Sequence, residues 1–248
     1  MYNIHMILED ERLDDLQLDG LKLIQNKKQF CFGTDAVLLS SFANVKNTST
    51  VIDLGTGNGI IPLLLYGKFK PKFIMGIEIQ KDIYELAVRN IKLNNLEENI
   101  SIINGDIRNI KEYFQAGSFD HVVTNPPYLK AGTGILSTAD TMAYARHEIL
   151  CTLEDILKAT RYLLKSKGIF TMVHRPSRLN EILSLMKNFS IEPKTIRFVH
   201  ANINTPAILV LIQGLKDMNP SLTVENPLII HKTDGTYTEE LNMLYGRN

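Results

Sequence analysis

The chain has 248 residues, 44% of them hydrophobic and 22% charged, which fits an ordinary globular protein and excludes disordered and fibrous classes. Its 27 basic and 27 acidic residues cancel, so it lacks the excess positive charge with which proteins that coat nucleic acid neutralise phosphates. The apolar runs are too short to cross a membrane, the first residues do not resemble a signal peptide, and the two cysteines lack metal-binding spacing. We therefore expect a cytoplasmic protein with no membrane segment and no metal.

Turn residues and hydrophobic periodicity predict strands that alternate with helices along most of the chain. Residues 16–25 alternate around Asp19-Gly20, which indicates a hairpin, and a helix is expected to begin near Thr34 or Asp35, either of which is a good N-cap. The expected strands cover residues 51–54, 73–79, 100–104, 119–124, 168–173, 196–200 and 207–212, and the expected helices cover residues 60–68, 81–94, 108–114, 148–164 and 177–187.

This alternation predicts an α/β fold with a mostly parallel sheet and helices on both of its faces. The last two strands have no helix between them, so they are expected to form an antiparallel hairpin at the C-terminal edge of the sheet. We divide the chain into an N-terminal hairpin extension over residues 1–33 and one α/β domain over residues 34–248.

Alternating glycines follow the first buried strand in the segment VIDLGTGNG, residues 51–59. They allow the backbone to turn tightly and to approach a ligand, and Glu78, at the end of the next strand, can accept both hydroxyls of a ribose. A tight turn without a ligand, or an oxidoreductase site for a dinucleotide, uses a similar loop. The spacing disfavours the dinucleotide because Ile60 replaces its third glycine, and Asp53 suits a cationic ligand better than a diphosphate.

The segment Asn125-Pro-Pro-Tyr128 follows the strand expected over residues 119–124. An exocyclic amine is a poor nucleophile, and acceptors for its two N–H bonds, here the Asn125 amide and the Pro126 carbonyl, can free its lone pair. The two prolines hold these acceptors rigidly, and Tyr128 offers a face on which a flipped base can stack. The alternative is a simple turn that an asparagine begins.

These motifs resemble those of the class I methyltransferases that bind S-adenosylmethionine, and NPPY resembles the signature of the branch that methylates amino groups. The resemblance implies a Rossmann-like domain with a mostly parallel, seven-stranded sheet. It implies Asn125, Pro126, Pro127 and Tyr128 as the catalytic residues. The implied cofactor-binding residues are Thr34, Asp35, Asp53, Gly55, Thr56, Gly57, Glu78, Ile79, Asp106, Ile107 and Asn125. Thr34, Asp35 and Asp106 are equally suited to capping helices.

Three further segments, FGTDAVLL (32–39), ARHE (145–148) and HRPSR (174–178), resemble the bacterial methyltransferases that modify adenine N6 beside the anticodon of tRNA(Val). This narrower resemblance implies a tRNA substrate and RNA contacts by Arg146, Arg175 and Arg178, and we expect a monomer. An internal ion pair for Arg146, and a solvated surface for Arg175 and Arg178, are the alternatives.

Other readings of the same motifs stay open. NPPY also fits guanine N2 of ribosomal RNA or a release-factor glutamine, although the chain lacks the additional domains that enzymes of these groups carry. A non-catalytic RNA-binding module and a nucleotide-linked oxidoreductase belong to other classes, and assays of cofactor turnover and of nicotinamide binding separate them.

Overall fold

The computed structural model describes residues 7–26, 33–128 and 151–246. The strands in this part of the chain are β1 (Glu11–Asp15), β2 (Lys22–Asn26), β3 (Thr50–Leu54), β4 (Phe73–Glu78), β5 (Ile100–Asn104), β6 (Phe119–Thr124), β7 (Leu164–His174), β8 (Ile191–His200), β9 (Ala207–Lys216), β10 (Thr223–Val224) and β11 (Leu228–Ile229). The helices are α1 (Thr34–Ala43), α2 (Ile60–Phe69), α3 (Lys81–Leu93), α4 (Ile110–Tyr113), α5 (Leu153–Leu163), α6 (Leu179–Asn188) and α7 (Glu239–Leu244). Across these ranges, no helix has the length and apolar character needed to span a membrane.

The seven long strands of the main sheet lie in the order β5-β4-β3-β6-β7-β9-β8, and the short β10 and β11 both pair with β8. Strands β3 to β7 are parallel, which confirms the predicted α/β fold. Strand β9 is antiparallel to both of its neighbours, as the hairpin prediction requires. The β8–β9 pair therefore lies at one end of the sheet as predicted, with β9 inserted between β7 and β8.

Alternating side chains of the sheet face two apolar clusters. Val51 and Val123 belong to the first cluster with α1 and α2, whereas Ile52 and Val122 belong to the second with α5 and α6. Successive side chains of a strand point to opposite faces, so the two clusters occupy the two faces of the sheet. Helices therefore cover both faces, as predicted.

The predicted N-terminal hairpin is present as β1 and β2, with Asp19 and Gly20 at positive φ in its turn. Asn90 of α3 is fully buried, accepts the Ile24 N–H at 2.6 Å and donates to the Ile24 carbonyl at 3.0 Å. The same amide donates at 2.9 Å to the carbonyl of Asn58 in the glycine loop. Asn90 therefore joins the hairpin to that loop.

Helix α1 begins at Thr34, as predicted, but its N-cap and the start of α5 differ from the predictions. The N-cap of α1 is Gly33, so the capping role expected for Thr34 or Asp35 is wrong, and the Asp35 side chain is used elsewhere. Helix α5 begins at Leu153 because Thr152 and Asp155 form a capping box, so residues 151–152 of the predicted helix are not helical. Residues 148–150 of that prediction lie outside the described residues.

Candidate active site

Most of the predicted site residues that the structure describes lie at the carboxyl ends of adjacent parallel strands, while Thr34 and Asp35 lie in the first turn of α1. The chain runs from β3 outward to β5 and then returns to β6 on the other side of β3. In an open α/β sheet, ligands bind at such a switch point. Gly55 and Gly57 follow β3 and Asn125 follows β6, so the fold brings the two principal motifs together.

The glycine loop is tied to the end of β4 by a hydrogen bond to the Glu78 side chain. Gly55 and Gly57 have φ of 73° and 58°, and a Cβ on either would meet nothing within 4 Å. The Gly57 N–H donates at 3.0 Å to Glu78, whose other oxygen accepts the Gln80 N–H at 2.9 Å. A ligand can therefore approach the backbone closely, beside the acid predicted to bind a ribose.

Asp53 is a buried carboxylate at the base of this loop. Neither of its oxygens, nor the Thr56 hydroxyl, has a hydrogen-bond partner among the described residues. Burial raises the pKa of Asp53 to about 7, an effect that the Thr56 side chain opposes and the negative charge of Glu78 reinforces. An unpaired buried carboxylate is costly, so the site suits a ligand with positive charge. S-adenosylmethionine, which carries a sulfonium and an ammonium group, fits this requirement.

The ends of β4 and β5 are tied together by Asn104, whose amide donates to the carbonyls of Glu78 and Ile79 at 2.8 and 3.1 Å. Asp106 caps the short 3-10 helix Ile107–Asn109 and forms an ion pair with Arg108. That hydrogen-bonded ion pair lowers the pKa of Asp106. The capping interpretation of Asp106 is thus confirmed, whereas its role in binding the cofactor stays a prediction. Ile79 and Ile107 are partly exposed, so apolar surface is available beside it.

Asn125, Asp35 and Tyr128 form a hydrogen-bonded group that joins the start of α1 to the end of β6. The Asn125 Nδ2 donates to Asp35 Oδ2 at 3.2 Å. The Tyr128 hydroxyl lies 2.7 Å from the same Asp35 oxygen and 2.8 Å from Asn125 Oδ1. Thr34, the other predicted cofactor residue of this segment, lies 3.3 Å from the Tyr245 hydroxyl. The fold therefore brings Asp35 to the NPPY motif, whereas the Thr34 hydroxyl contacts Tyr245.

The predicted basic residues differ in their surroundings. The Arg175 guanidinium lies 5.0 Å from the Tyr128 ring centroid and donates to the Ile208 carbonyl. Arg178 is ion-paired with Glu181 at 2.8 Å, and its side chain is only 11% exposed. Arg146 lies outside the described residues. RNA contact by these three residues stays a prediction.

His174 also packs against Tyr128 and was not expected as a site residue. Its ring lies 5.3 Å from the Tyr128 ring in an edge-on arrangement, and its Nδ1 accepts the Arg175 N–H at 2.7 Å. Burial, with the positive charge of Arg178 as the next cause, lowers the pKa of His174 to about 4. The ring is therefore neutral at physiological pH, which suits its position beside two arginines. Its place at the end of β7, in the segment HRPSR, was the available signal.

The sheet order, the antiparallel β9 and the glycine loop at the switch point together define a Rossmann-like methyltransferase fold. The chain belongs to the methyltransferase-domain family, whose model matches residues 45–212. The predicted fold and the predicted class of enzyme are thereby confirmed.

Relatives that carry the name of a specific activity are also similar to this chain. The chain is 28% identical over 208 residues to the tRNA1(Val) (adenine(37)-N6)-methyltransferase of Aeromonas hydrophila, covering 84% of this chain and 85% of the relative. It is 34% identical over 143 residues to the protein of the same name from Bacteroides thetaiotaomicron, covering 57% and 58%. A solved structure from Agrobacterium tumefaciens, described as the predicted O-methyltransferase Atu636, is similar with a TM-score of 0.70 and 22% identity, covering 86% of this chain and 95% of that one.

Proposed function

We propose that this chain transfers a methyl group from S-adenosylmethionine to the exocyclic N6 amine of an adenine in tRNA, in the anticodon loop of tRNA(Val). The observation that carries the amine chemistry is the placement of Asn125 beside the glycine loop, with its amide nitrogen on Asp35. The choice of adenine and of tRNA is supported by the relatives, which carry that activity in their names.

The chain's own residues prepare the amine for reaction. The Asn125 Oδ1 and the Pro126 carbonyl accept the two N–H bonds of the amine, which draws its nitrogen toward tetrahedral geometry and localises its lone pair. Pro126 is buried and fixes the backbone, so these acceptors need little reorganisation when the base arrives. Tyr128 provides the stacking surface for the flipped base.

The cofactor is held by the residues at the ends of β3, β4 and β5. S-adenosylmethionine supplies an electrophilic methyl group on a sulfonium. Asp53 provides the compensating negative charge, and Gly55 and Gly57 allow close approach of the backbone. Glu78 would accept the ribose hydroxyls, and Ile79 and Ile107 would pack against the adenine ring.

The proposed activity is tested with purified protein, S-adenosylmethionine and tRNA from a strain that lacks the gene. We expect N6-methyladenosine in digested tRNA, detected by mass spectrometry, and none in ribosomal RNA or release factor treated in parallel. Methylation of only the other acceptors would retain the amine chemistry and refute the tRNA substrate. No methylation of any acceptor would refute the enzymatic proposal.

We also infer that the enzyme acts as a monomer in the cytoplasm, where its tRNA substrate is found. Within the described ranges, the exposed large apolar side chains are scattered over separate elements, for example Leu13 of β1, Tyr113 of α4 and Met243 of α7. Isolated apolar side chains of this kind are usual on the surface of a monomer.

Replacement of both Arg175 and Arg178 by alanine is expected to weaken tRNA binding and to lower its dependence on salt. Removing one bond to a phosphate reduces the slope of log affinity against log salt by about 0.7–0.9. Filter binding between low and moderate salt measures that slope. The matched control replaces Arg161 and Lys165, which lie near the opposite end of β7 and carry the same total charge. Equal slopes for the two double variants would remove Arg175 and Arg178 from the RNA interface.

A further inference from the structure

One carboxylate oxygen of Asp35 accepts hydrogen bonds from two side chains of the NPPY motif. Asp35 Oδ2 lies 3.2 Å from the Asn125 amide nitrogen and 2.7 Å from the Tyr128 hydroxyl. Asp35 is 90 residues before Asn125 in sequence, and it reaches the site because α1 begins beside the end of β6. Its other oxygen accepts the N–H of Ala36, so the carboxylate is held on both sides.

The bond to Asp35 determines which end of the Asn125 amide is presented to the substrate. The two ends of an amide have nearly the same shape, but an ionised carboxylate accepts hydrogen bonds and cannot donate them. The nitrogen of Asn125 therefore faces Asp35, and Oδ1 is directed away from it. A flipped amide would present an N–H to the substrate amine, which already donates both of its own hydrogens.

The Tyr128 hydroxyl gives Asp35 a second effect on Asn125. Its single proton can be donated to Asn125 Oδ1 or to Asp35 Oδ2, which lie at 2.8 and 2.7 Å. Donation to the charged oxygen is the stronger bond and leaves Oδ1 available for the substrate. The carboxylate also polarises the amide through its N–H, which makes Oδ1 a better acceptor.

We propose that Asp35 is a positioning residue for amine methylation, which orients the Asn125 amide and keeps its oxygen free for the substrate. This inference rests on the proposed function and deepens it. It also differs from the role in cofactor binding that the sequence resemblance implies for Asp35, so measurements of affinity and of turnover distinguish the two roles.

The experiment compares Asp35→Ala and Asp35→Asn with the unmodified chain. For Asp35→Ala we expect kcat to fall by about 10–100-fold, the magnitude typical when the partner of a functional side chain is removed. The dissociation constant of S-adenosylmethionine and the KM for tRNA stay within about twofold, because binding groups are untouched. Asp35→Asn can still turn an oxygen toward Asn125 and Tyr128, so it recovers part of the lost kcat.

A control variant separates positioning from helix stability. Glu154, an exposed acid in the first turn of α5, is replaced by alanine to remove the same favourable charge from a helix N-terminus. We expect this variant to keep its kcat. A second readout is hydrogen exchange of the Asn125 side-chain amide, assigned in NMR spectra by its absence from Asn125→Ala. The exchange is expected to be faster in Asp35→Ala than in Asp35→Asn.

The outcomes are distinguishable. A large rise in the dissociation constant of S-adenosylmethionine with unchanged kcat would overturn the positioning role in favour of cofactor binding. Unchanged exchange of the Asn125 amide in Asp35→Ala would overturn the orientation that we assign. Absence of tRNA methylation by the unmodified chain refutes the proposed function instead, and the amide exchange then decides the orientation of Asn125 independently.

Discussion

Replacing Asn125 with alanine is expected to lower kcat by about 10²–10³-fold, the usual cost of removing one preorganised polar group from the reacting centre. Alanine cannot accept an N–H of the substrate amine, so the lone pair of that amine stays delocalised. The affinity for S-adenosylmethionine is expected to change little, because Asp53 and Glu78 lie on β3 and β4 and do not depend on Asn125. Single-turnover kinetics and calorimetric titration with the cofactor measure the two quantities separately.

A variant of the same size gives a sharper comparison. Asn125→Asp keeps an oxygen acceptor but places a second carboxylate against Asp35, and like charges at this distance repel. We expect little activity from it and partial recovery when Asp35→Asn is added, because the amide then donates from the other side. Equal losses of turnover and cofactor affinity in Asn125→Ala would contradict the role given to this residue.

Replacing Asp53 with asparagine is expected to stabilise the cofactor-free protein at alkaline pH and to abolish tight cofactor binding. The carboxylate is fully buried and its oxygens have no hydrogen-bond partner among the residues that the structure describes, so its ionised form is costly. Asparagine has nearly the same shape and carries no charge. It cannot supply the negative charge that a cationic ligand needs, so affinity for S-adenosylmethionine should fall by at least about tenfold.

The stabilisation expected for Asp53→Asn depends on pH, because folding raises the pKa of Asp53. The folded protein raises the pKa of Asp53 from 3.8 to about 7, so it holds the proton more tightly than the unfolded chain does. The cost of the ionised group is absent at low pH and develops as pH rises through this interval. Relative to the unmodified chain, Asp53→Asn should therefore gain about 2–3 kcal/mol in free energy of unfolding between pH 5 and pH 8.

Urea unfolding across this pH range measures the expected gain in free energy of unfolding. Asp120 provides a control, because its replacement is expected to change that free energy in the opposite direction. Burial pushes the pKa of Asp120 upward, but hydrogen bonds from Lys165 and Thr50 outweigh it and hold that pKa below its ordinary value. Asp120→Asn is therefore expected to destabilise the protein at pH 8.

In the unmodified chain, cofactor affinity should weaken by up to about tenfold per pH unit below 7, since Asp53 must lose a proton on binding. A flat profile would contradict the role of Asp53.

Local patterns were sufficient to predict most of the fold and the two main motifs. The glycine loop and NPPY each follow a buried strand, and parallel strands bring such segments to one end of the sheet. The insertion of β9 between β7 and β8 was not predictable in this way, because both the edge position and the interior position satisfy the same hairpin pattern.

Contacts between distant segments account for what the sequence left undecided. Aspartate is a residue type that commonly caps helices, so the sequence around Asp35 favoured that role. Only the approach of α1 to β6 brings its carboxylate to Asn125. The role of Asn90 had a weaker signal, its pairing with Asn94, the C-cap of an otherwise amphipathic helix, four residues later. Such a pair does not say which backbone groups it will bind.

The contact of Asn90 with both the hairpin and the glycine loop bears on where this chain can be divided. The predicted boundary at residue 33 separates Ile24 from Asn90, and the matched family model begins later still, at residue 45. A chain trimmed at either point loses two of the three hydrogen bonds of the Asn90 side-chain amide, which is fully buried in the intact fold. We therefore expect the hairpin over residues 7–26 to act as part of the scaffold of the α/β domain, and a minimal enzyme should retain it.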